Sequence, residues 1–126
     1  MATPEKLKVL LVEDDADLAE VTQAALEQEG LEVAVAHDGK KGLELIASTH
    51  PAVVITDLIM PVLDGLQMIQ QYLHMPGPHA PVIAVSAVGS RLHAARELGA
   101  DEAFVKPVHP SELASTARKL ARRGPA

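Results

Sequence analysis

The stretch Lys8-Val9-Leu10-Leu11-Val12-Glu13-Asp14-Asp15 decides how this chain is read. A strand with one wet face alternates apolar and polar residues. An unbroken apolar run of strand length instead marks a strand buried on both faces, as in parallel sheets. Four more short apolar runs follow, at residues 32–36, 52–56, 82–85 and 103–105. Between the runs, apolar residues recur at three- and four-residue spacing: Leu18, Val21, Ala25 and Leu26; Leu43, Ile46 and Ala47; Leu66, Ile69 and Leu73; Leu92, Ala95 and Leu98; Leu113, Ala117 and Leu120. Each stripe is expected to lie against a sheet.

The punctuation agrees with this reading. Gly30 and Gly99 stand where the first and fourth helices should end in a left-handed turn. Asp14, Asp15 or Asp17 can cap the first helix, with Asp15 best placed. Asp38 is expected to cap the second helix and Ser111, preceded by Pro110, the last. Pro51 and Pro81 precede strands, and residues 74–81 read as a loop. Arg118, Lys119, Arg122 and Arg123 suit the negative end of the last helix. A βα unit repeated five times implies an α/β fold, a doubly wound five-stranded parallel sheet with right-handed crossovers. Such sheets hold ligands outside the carboxyl ends of their strands.

Composition narrows the function. At 126 residues and 48% hydrophobic, the chain suits one domain with a real core. Aromatics are 2%, too few for the stacking platforms of single-strand nucleic-acid modules. Acidic residues outnumber basic ones 17 to 11, for a net charge of −6, which disfavours DNA and anionic membranes. The absence of cysteine excludes disulfides, cysteine zinc sites and thiol nucleophiles. No apolar run is long enough to span a membrane, and the MATPEKLK start lacks the apolar core of a signal peptide. A single cytoplasmic domain is expected, with a core over about residues 6–123 and short flexible termini.

The residues at the strand ends carry the chemistry. Glu13, Asp14 and Asp15 follow the first strand, His37 and Asp38 the second, Asp57 the third, Ser86 the fourth and Lys106 the fifth. The fold would gather Glu13, Asp14 and Asp57 near the point where strand order reverses. Like charges that close need neutralising. Mg²⁺ is the natural partner, because it takes a few carboxylates together with waters and phosphate oxygens. Lys106 adds an ammonium and Ser86 a hydroxyl, a set that matches the oxygens of a phosphoryl group. A central carboxylate can itself be the nucleophile. Taken singly, each residue has an ordinary reading: a helix cap, a turn aspartate, a loop serine, a surface lysine. Their convergence on one rim is what points to a site. The six histidines form no metal-ligand spacing, and no phosphate-binding glycine motif follows a strand.

From about Lys6 to Arg123 the chain resembles the receiver domain of two-component response regulators. Val9 to Asp15 is similar to that family's first strand and acidic pair. The segment from Asp57 to Gly65 fits its phosphoacceptor signature, D-x-x-M-P-x-x-D-G, while Pro81 to Ala87 and Lys106-Pro107 resemble its fourth strand and its lysine. The resemblance implies a flavodoxin-like sheet of order 2-1-3-4-5. It implies that Asp57 accepts a phosphoryl group from a phosphohistidine on a sensor histidine kinase or histidine phosphotransfer protein. Glu13, Asp14, Asp57 and the backbone carbonyl of Ile59 would hold Mg²⁺, and Lys106 and Ser86 would contact the phosphoryl oxygens. The Lys106–Pro107 bond would be cis. Output would pass through the fourth helix, fifth strand and fifth helix to a downstream protein target, or through a phosphorylation-dependent dimer. No direct contact with nucleic acid or membrane is implied. The pattern fills the chain, as in a stand-alone regulator, and the role is signalling acceptor, not enzyme.

The switch region, Ser86, Ala87, Ala103 and Phe104, holds one departure. The family's switch aromatic stands three residues before the lysine, where this chain has Ala103. Phe104 is the next residue, and neighbours in a strand point to opposite faces. Phe104 therefore reads as a core residue. Two rivals remain. One is a receiver fold that no longer phosphorylates and serves as an interaction module, a reading only Ala103 favours. The other is an aspartyl phosphatase, which would carry a second Asp where Ile59 stands.

Overall fold

Val9, Leu10, Leu11 and Val12 are all buried, so β1 (Lys8–Val12) has no wet face. It sits inside the sheet, between β2 (Glu32–Ala36) and β3 (Val53–Asp57). β4 (Val82–Ser86) continues beyond β3, and β5 (Glu102–Val105) forms the far edge. The order is β2-β1-β3-β4-β5 with every pair parallel. These are the fold class and strand order expected from the sequence. This computed structural model describes residues 6–125. The short tails expected at Met1–Glu5 and Ala126 lie outside the described residues.

Alternation along the strands splits the core in two. Leu10, Val12, Val54, Val82 and Ala84 pack on one face with residues of α2 (Gly39–Thr49), α3 (Gly65–His74) and α4 (Gly89–Leu98). Val9, Leu11, Ile55, Ile83 and Val85 pack on the other with α1 (Ala16–Gln28) and α5 (Pro110–Arg123). Ala103 belongs to the first cluster and Phe104 to the second. Among the described residues no helix is long and apolar enough to cross a membrane.

The caps explain where the helices begin. Asp15 accepts from the Leu18 amide, Asp38 from that of Lys41, and Asp64 makes a reciprocal capping box with Gln67. For α5 the expected cap is corrected. His109 is the cap, its Nδ1 accepting from the Ser111 amide and hydroxyl; Pro110 is the first helical residue and Ser111 already lies inside. Proline at the first turn loses nothing, because its amide would have no helical partner there. Gly30 and Gly99 take positive φ at the ends of α1 and α4, as expected.

The stripe expected on α1 is also corrected. Leu18 is 40% and Val21 67% exposed, whereas Ala19 and Leu26 are buried. The packed row starts one residue later than the large side chains suggest, on the small Ala19. On α2, Gly42 serves a similar end. A Cβ there would stand 2.8 Å from the Met68 sulfur, so α2 packs close to α3. β3 runs from 53 to 57, not 52 to 56, and β4 extends to Ser86. Asp57 and Ser86 are therefore the last rungs of a hydrogen-bonded ladder and not the first residues of loops.

Candidate functional site

Five strand ends meet along one rim of the sheet. Glu13 follows β1, its amide donating to the Ala36 carbonyl at 2.9 Å, which fixes it beside the end of β2. The His37 Nδ1 lies 3.1 Å from the Glu13 carbonyl and braces the same corner. Asp57 ends β3. Its Oδ1 accepts from the Leu58 amide at 2.7 Å and the Ile59 amide at 3.4 Å, leaving Oδ2 turned toward the fifth strand. Behind it the chain turns at Gly65, where a Cβ would come within 2.2 Å of the Asp57 carbonyl oxygen. Only glycine permits that approach, so the second half of the D-x-x-M-P-x-x-D-G segment positions its first residue.

One lysine joins the carboxylates. Lys106 Nζ donates to Glu13 Oε1 at 2.9 Å and to Asp57 Oδ2 at 3.1 Å. Asp14 completes the group: Glu13, Asp14 and Asp57 each offer an oxygen within 4.8 Å of the others. Glu13 is buried, Asp57 nearly so and Asp14 exposed, so the group opens to solvent on Asp14's side. Burial pushes the Glu13 carboxyl above its ordinary pKa. The hydrogen bond from Lys106 offsets part of this, and the nearby charge of Asp57 adds to it. Burial also works against the charged form of Lys106, but its two carboxylate partners outweigh that and hold its pKa above the ordinary value.

Three carboxylates and one ammonium leave two net negative charges in one pocket. That donor set fits a hard dication, which takes carboxylate oxygens readily. The Ile59 backbone lies two residues beyond Asp57 on the same rim, and its side chain is 49% exposed. Ser86 is fully buried, and its hydroxyl accepts from the Val88 amide at 3.1 Å. Ala87, next to it, is exposed. The Lys106–Pro107 peptide is cis.

The structure therefore brings together Glu13, Asp14, Asp57 and Lys106, with Ser86 and Ile59 on the same rim. Ala103 and Phe104 lie on opposite faces of β5, so no aromatic ring occupies the α4 side of position 103. Two contributions were not read from the sequence: the close approach at Gly65, and the bracing of Glu13 by His37, which was placed on the rim without a role. Gly65 was visible only as a letter of the signature, and nothing local to His37 signals its contact with Glu13.

Comparison with known proteins settles the family. The profile described as response regulator receiver domain matches residues 9–118. This chain belongs to the response regulator receiver domain family. A curated relative, response regulator MprA of Mycobacterium ulcerans, is 37% identical over 120 residues, covering 93% of this chain and 51% of that protein. The chain spans about half the length of the curated relatives it matches. Among solved structures, a Francisella response regulator 1452 receiver domain superposes with a TM-score of 0.86 at 30% identity, covering 94% of this chain and 98% of that one. A response regulator receiver domain protein from Clostridium thermocellum superposes equally well, at 28% identity over 93% of this chain and 95% of its own. The receiver fold here is thus that of two-component signalling proteins.

Proposed function

We propose that Asp57 is a phosphoacceptor and that this receiver domain takes a phosphoryl group from a phosphohistidine on a histidine kinase or phosphotransfer protein. The observation that carries this is the Lys106 bridge between Glu13 and Asp57 at the edge of a three-carboxylate pocket. An Asp57 carboxylate oxygen attacks phosphorus, the phosphorus–nitrogen bond to the donor imidazole breaks, and the imidazole leaves with the bonding pair and takes up a proton. The backbone amides of Leu58 and Ile59 hold the other Asp57 oxygen, so the carboxylate is oriented before the donor arrives. Lys106 is already against Asp57 Oδ2 and can follow the phosphoryl oxygens as charge builds on them. The Ser86 hydroxyl lies on the same rim and offers a donor to those oxygens.

Glu13, Asp14, Asp57 and the Ile59 carbonyl would hold Mg²⁺, which when bound screens the carboxylates and neutralises phosphoryl charge. In this reading the domain is a signalling acceptor and not an enzyme acting on a separate substrate. A protein donor suits the surroundings of the pocket. Among the described residues, six of the seven exposed large apolar side chains belong to the elements around this rim: Leu18, Val21, Ile59, Val62, Val88 and Val105. An acidic pocket inside an apolar collar is a surface for another protein. Output through α4, β5 and α5 to a protein target, or to a second copy, completes the reading.

Incubation with acetyl phosphate and Mg²⁺, followed by intact-mass measurement, tests it. Wild type should gain one phosphoryl group and Asp57→Asn none. An unmodified wild type would leave the non-phosphorylating interaction module as the better account.

A further inference from the structure

One group of charges takes no part in the phosphoacceptor chemistry. Arg118, Lys119, Arg122 and Arg123 crowd the end of α5, and from Leu113 to Arg123 that helix carries no acid. Arg118 and Arg122, together with Lys6 ahead of β1, line one depression beside Gly30. No carboxylate side chain lines it; Glu27, Glu29 and Glu32, the acids flanking Gly30 in sequence, lie outside the lining. Among the described residues none of these five cations makes an ion pair. Arg118 donates to the Glu29 backbone carbonyl, a bond that leaves its charge uncancelled. Five of the 11 lysines and arginines of a chain with net charge −6 are thus gathered at one end of the molecule.

The ordinary account of cations in a last turn is the helix macrodipole. It supplies about half a unit of negative charge and fades within one turn. That accounts for Arg122 or Arg123 but not for all four side chains. Their spacing works against the helix: Arg118 with Arg122, and Lys119 with Arg123, are like-charged pairs four residues apart, and such pairs are destabilising. A ligand of opposite charge relieves that repulsion.

The surroundings select the ligand. Among the described residues no exposed large apolar side chain lies on α5, so this end offers nothing to insert into a bilayer. A nucleic acid would find no ring to stack on, since Tyr72 is buried and Phe104 packs in the core. Its backbone would also run past the patch onto a negatively charged molecule. A short acidic stretch of polypeptide fits within the patch.

We propose that the end of α5, with Lys6, docks an acidic peptide segment of a partner protein. Lys6 precedes β1 and Glu13 follows it, so this patch and the carboxylate pocket lie at opposite ends of the sheet. The contact leaves the pocket open, and it holds whether or not Asp57 accepts a phosphoryl group.

Fluorescein-labelled hexaglutamate titrated with the full chain tests it. Anisotropy should rise saturably, and affinity should fall about tenfold as sodium chloride is raised from about 50 to about 300 mM, because exposed charges are screened. Amide shifts in nitrogen-15 spectra should centre on Lys6 and on residues 118–123. Arg122→Glu with Arg123→Glu should weaken binding about tenfold or more. Lys40→Glu with Lys41→Glu, the same charge change at the start of α2, should leave affinity within about twofold, because the charge lies elsewhere. Absence of saturable binding overturns the proposal, as do equal losses in the two variants and shifts centred elsewhere. An oligothymidylate or a phosphatidylglycerol vesicle that binds more tightly than the peptide also overturns it. Should a reversed variant not fold, glutamine at the same four positions repeats the comparison.

Discussion

Lys106 is the single cation among three carboxylates, so the two kinds of charge removal have opposite signs. Lys106→Met strips Glu13 and Asp57 of their shared partner in a largely buried setting. It should lower metal-free stability by about 1–3 kcal/mol, the penalty for leaving buried polar groups without partners. Asp57→Asn removes one repelling charge while Lys106 keeps Glu13, so it should raise the metal-free melting temperature, by on the order of 1 kcal/mol of stability. Thermal unfolding of both variants in chelator checks the pair, and an Asp57→Asn melting point at or below wild type counts against the cluster. Ile59 bears on a different quantity. Its exposed apolar side chain stands two residues from Asp57, where it would hinder water from reaching a phosphoryl group if Asp57 is the acceptor proposed above. Ile59→Asn should therefore shorten the phosphoprotein's lifetime, measured as loss of the added mass after the donor is removed, and equal lifetimes would refute the shielding role. The identities of these residues were legible in the sequence because each sits at a strand end. The Glu13–Lys106 bond was not, because the partners are remote in sequence and only strand order brings them together.

Within the elements, what the sequence hid follows from small and weakly marked residues. The apolar runs announce the strands, since runs this short, rich in β-branched residues and alternating with helical stripes, suit strands buried on both faces. The helix faces are harder to read. Ala19, Gly42 and Gly65 set the packing of their segments, yet small residues look neutral in an apolar pattern, and the large Leu18 and Val21 pointed to the wrong row of α1. The loop after β3 contains a local conflict. Val62 has φ 69°, a left-handed conformation that a β-branched residue adopts only under strain, and it is 80% exposed. Val62→Asn should raise stability by about 1 kcal/mol, since asparagine tolerates that region. A destabilised Val62→Asn in denaturant unfolding would mean that valine makes a compensating contact. Tyr72 of α3 gives a pH test. Burial raises its pKa above the ordinary 10.0 although the Ala80 amide donates to its hydroxyl at 2.6 Å. The unfolded chain ionises first, so above pH 10 the folded state binds more protons and stability falls as pH rises. Tyr72→Phe should be less stable by about 1 kcal/mol near neutrality, where the Ala80 amide loses its acceptor, and should lose less stability on going alkaline. Parallel stability–pH curves for the two proteins would exclude this assignment.

Across the whole molecule, the net charge of −6 divides unevenly. The rim pocket concentrates negative charge behind a partly apolar collar, while the remainder is spread over the solvated helices. Position 103 adds a second asymmetry: the only aromatic of β5, Phe104, packs toward α1 and α5, away from α4. If Asp57 is phosphorylated as proposed, β5 supplies no ring to move on the α4 side. The concentrated charge makes the folded state a better ligand for a dication than the unfolded chain, in which the three carboxylates are dispersed. Mg²⁺ should then stabilise by mass action, about 2.7 kcal/mol at a hundredfold excess over its dissociation constant. For a domain of this size that corresponds to roughly 10 °C in melting temperature. Sodium chloride at matched ionic strength should not reproduce the shift, because screening acts on all surface charges and coordination on three. Asp57→Asn should shrink it, because one ligand loses its charge. Acidification should shrink it as well: Glu13 takes up a proton at a higher pH than an ordinary glutamate, and the proton competes with the metal for the same oxygen. Calorimetric scans across Mg²⁺ concentration, with and without the Asp57→Asn change, measure all of these, and a shift equal in both proteins would place the ion somewhere other than this pocket.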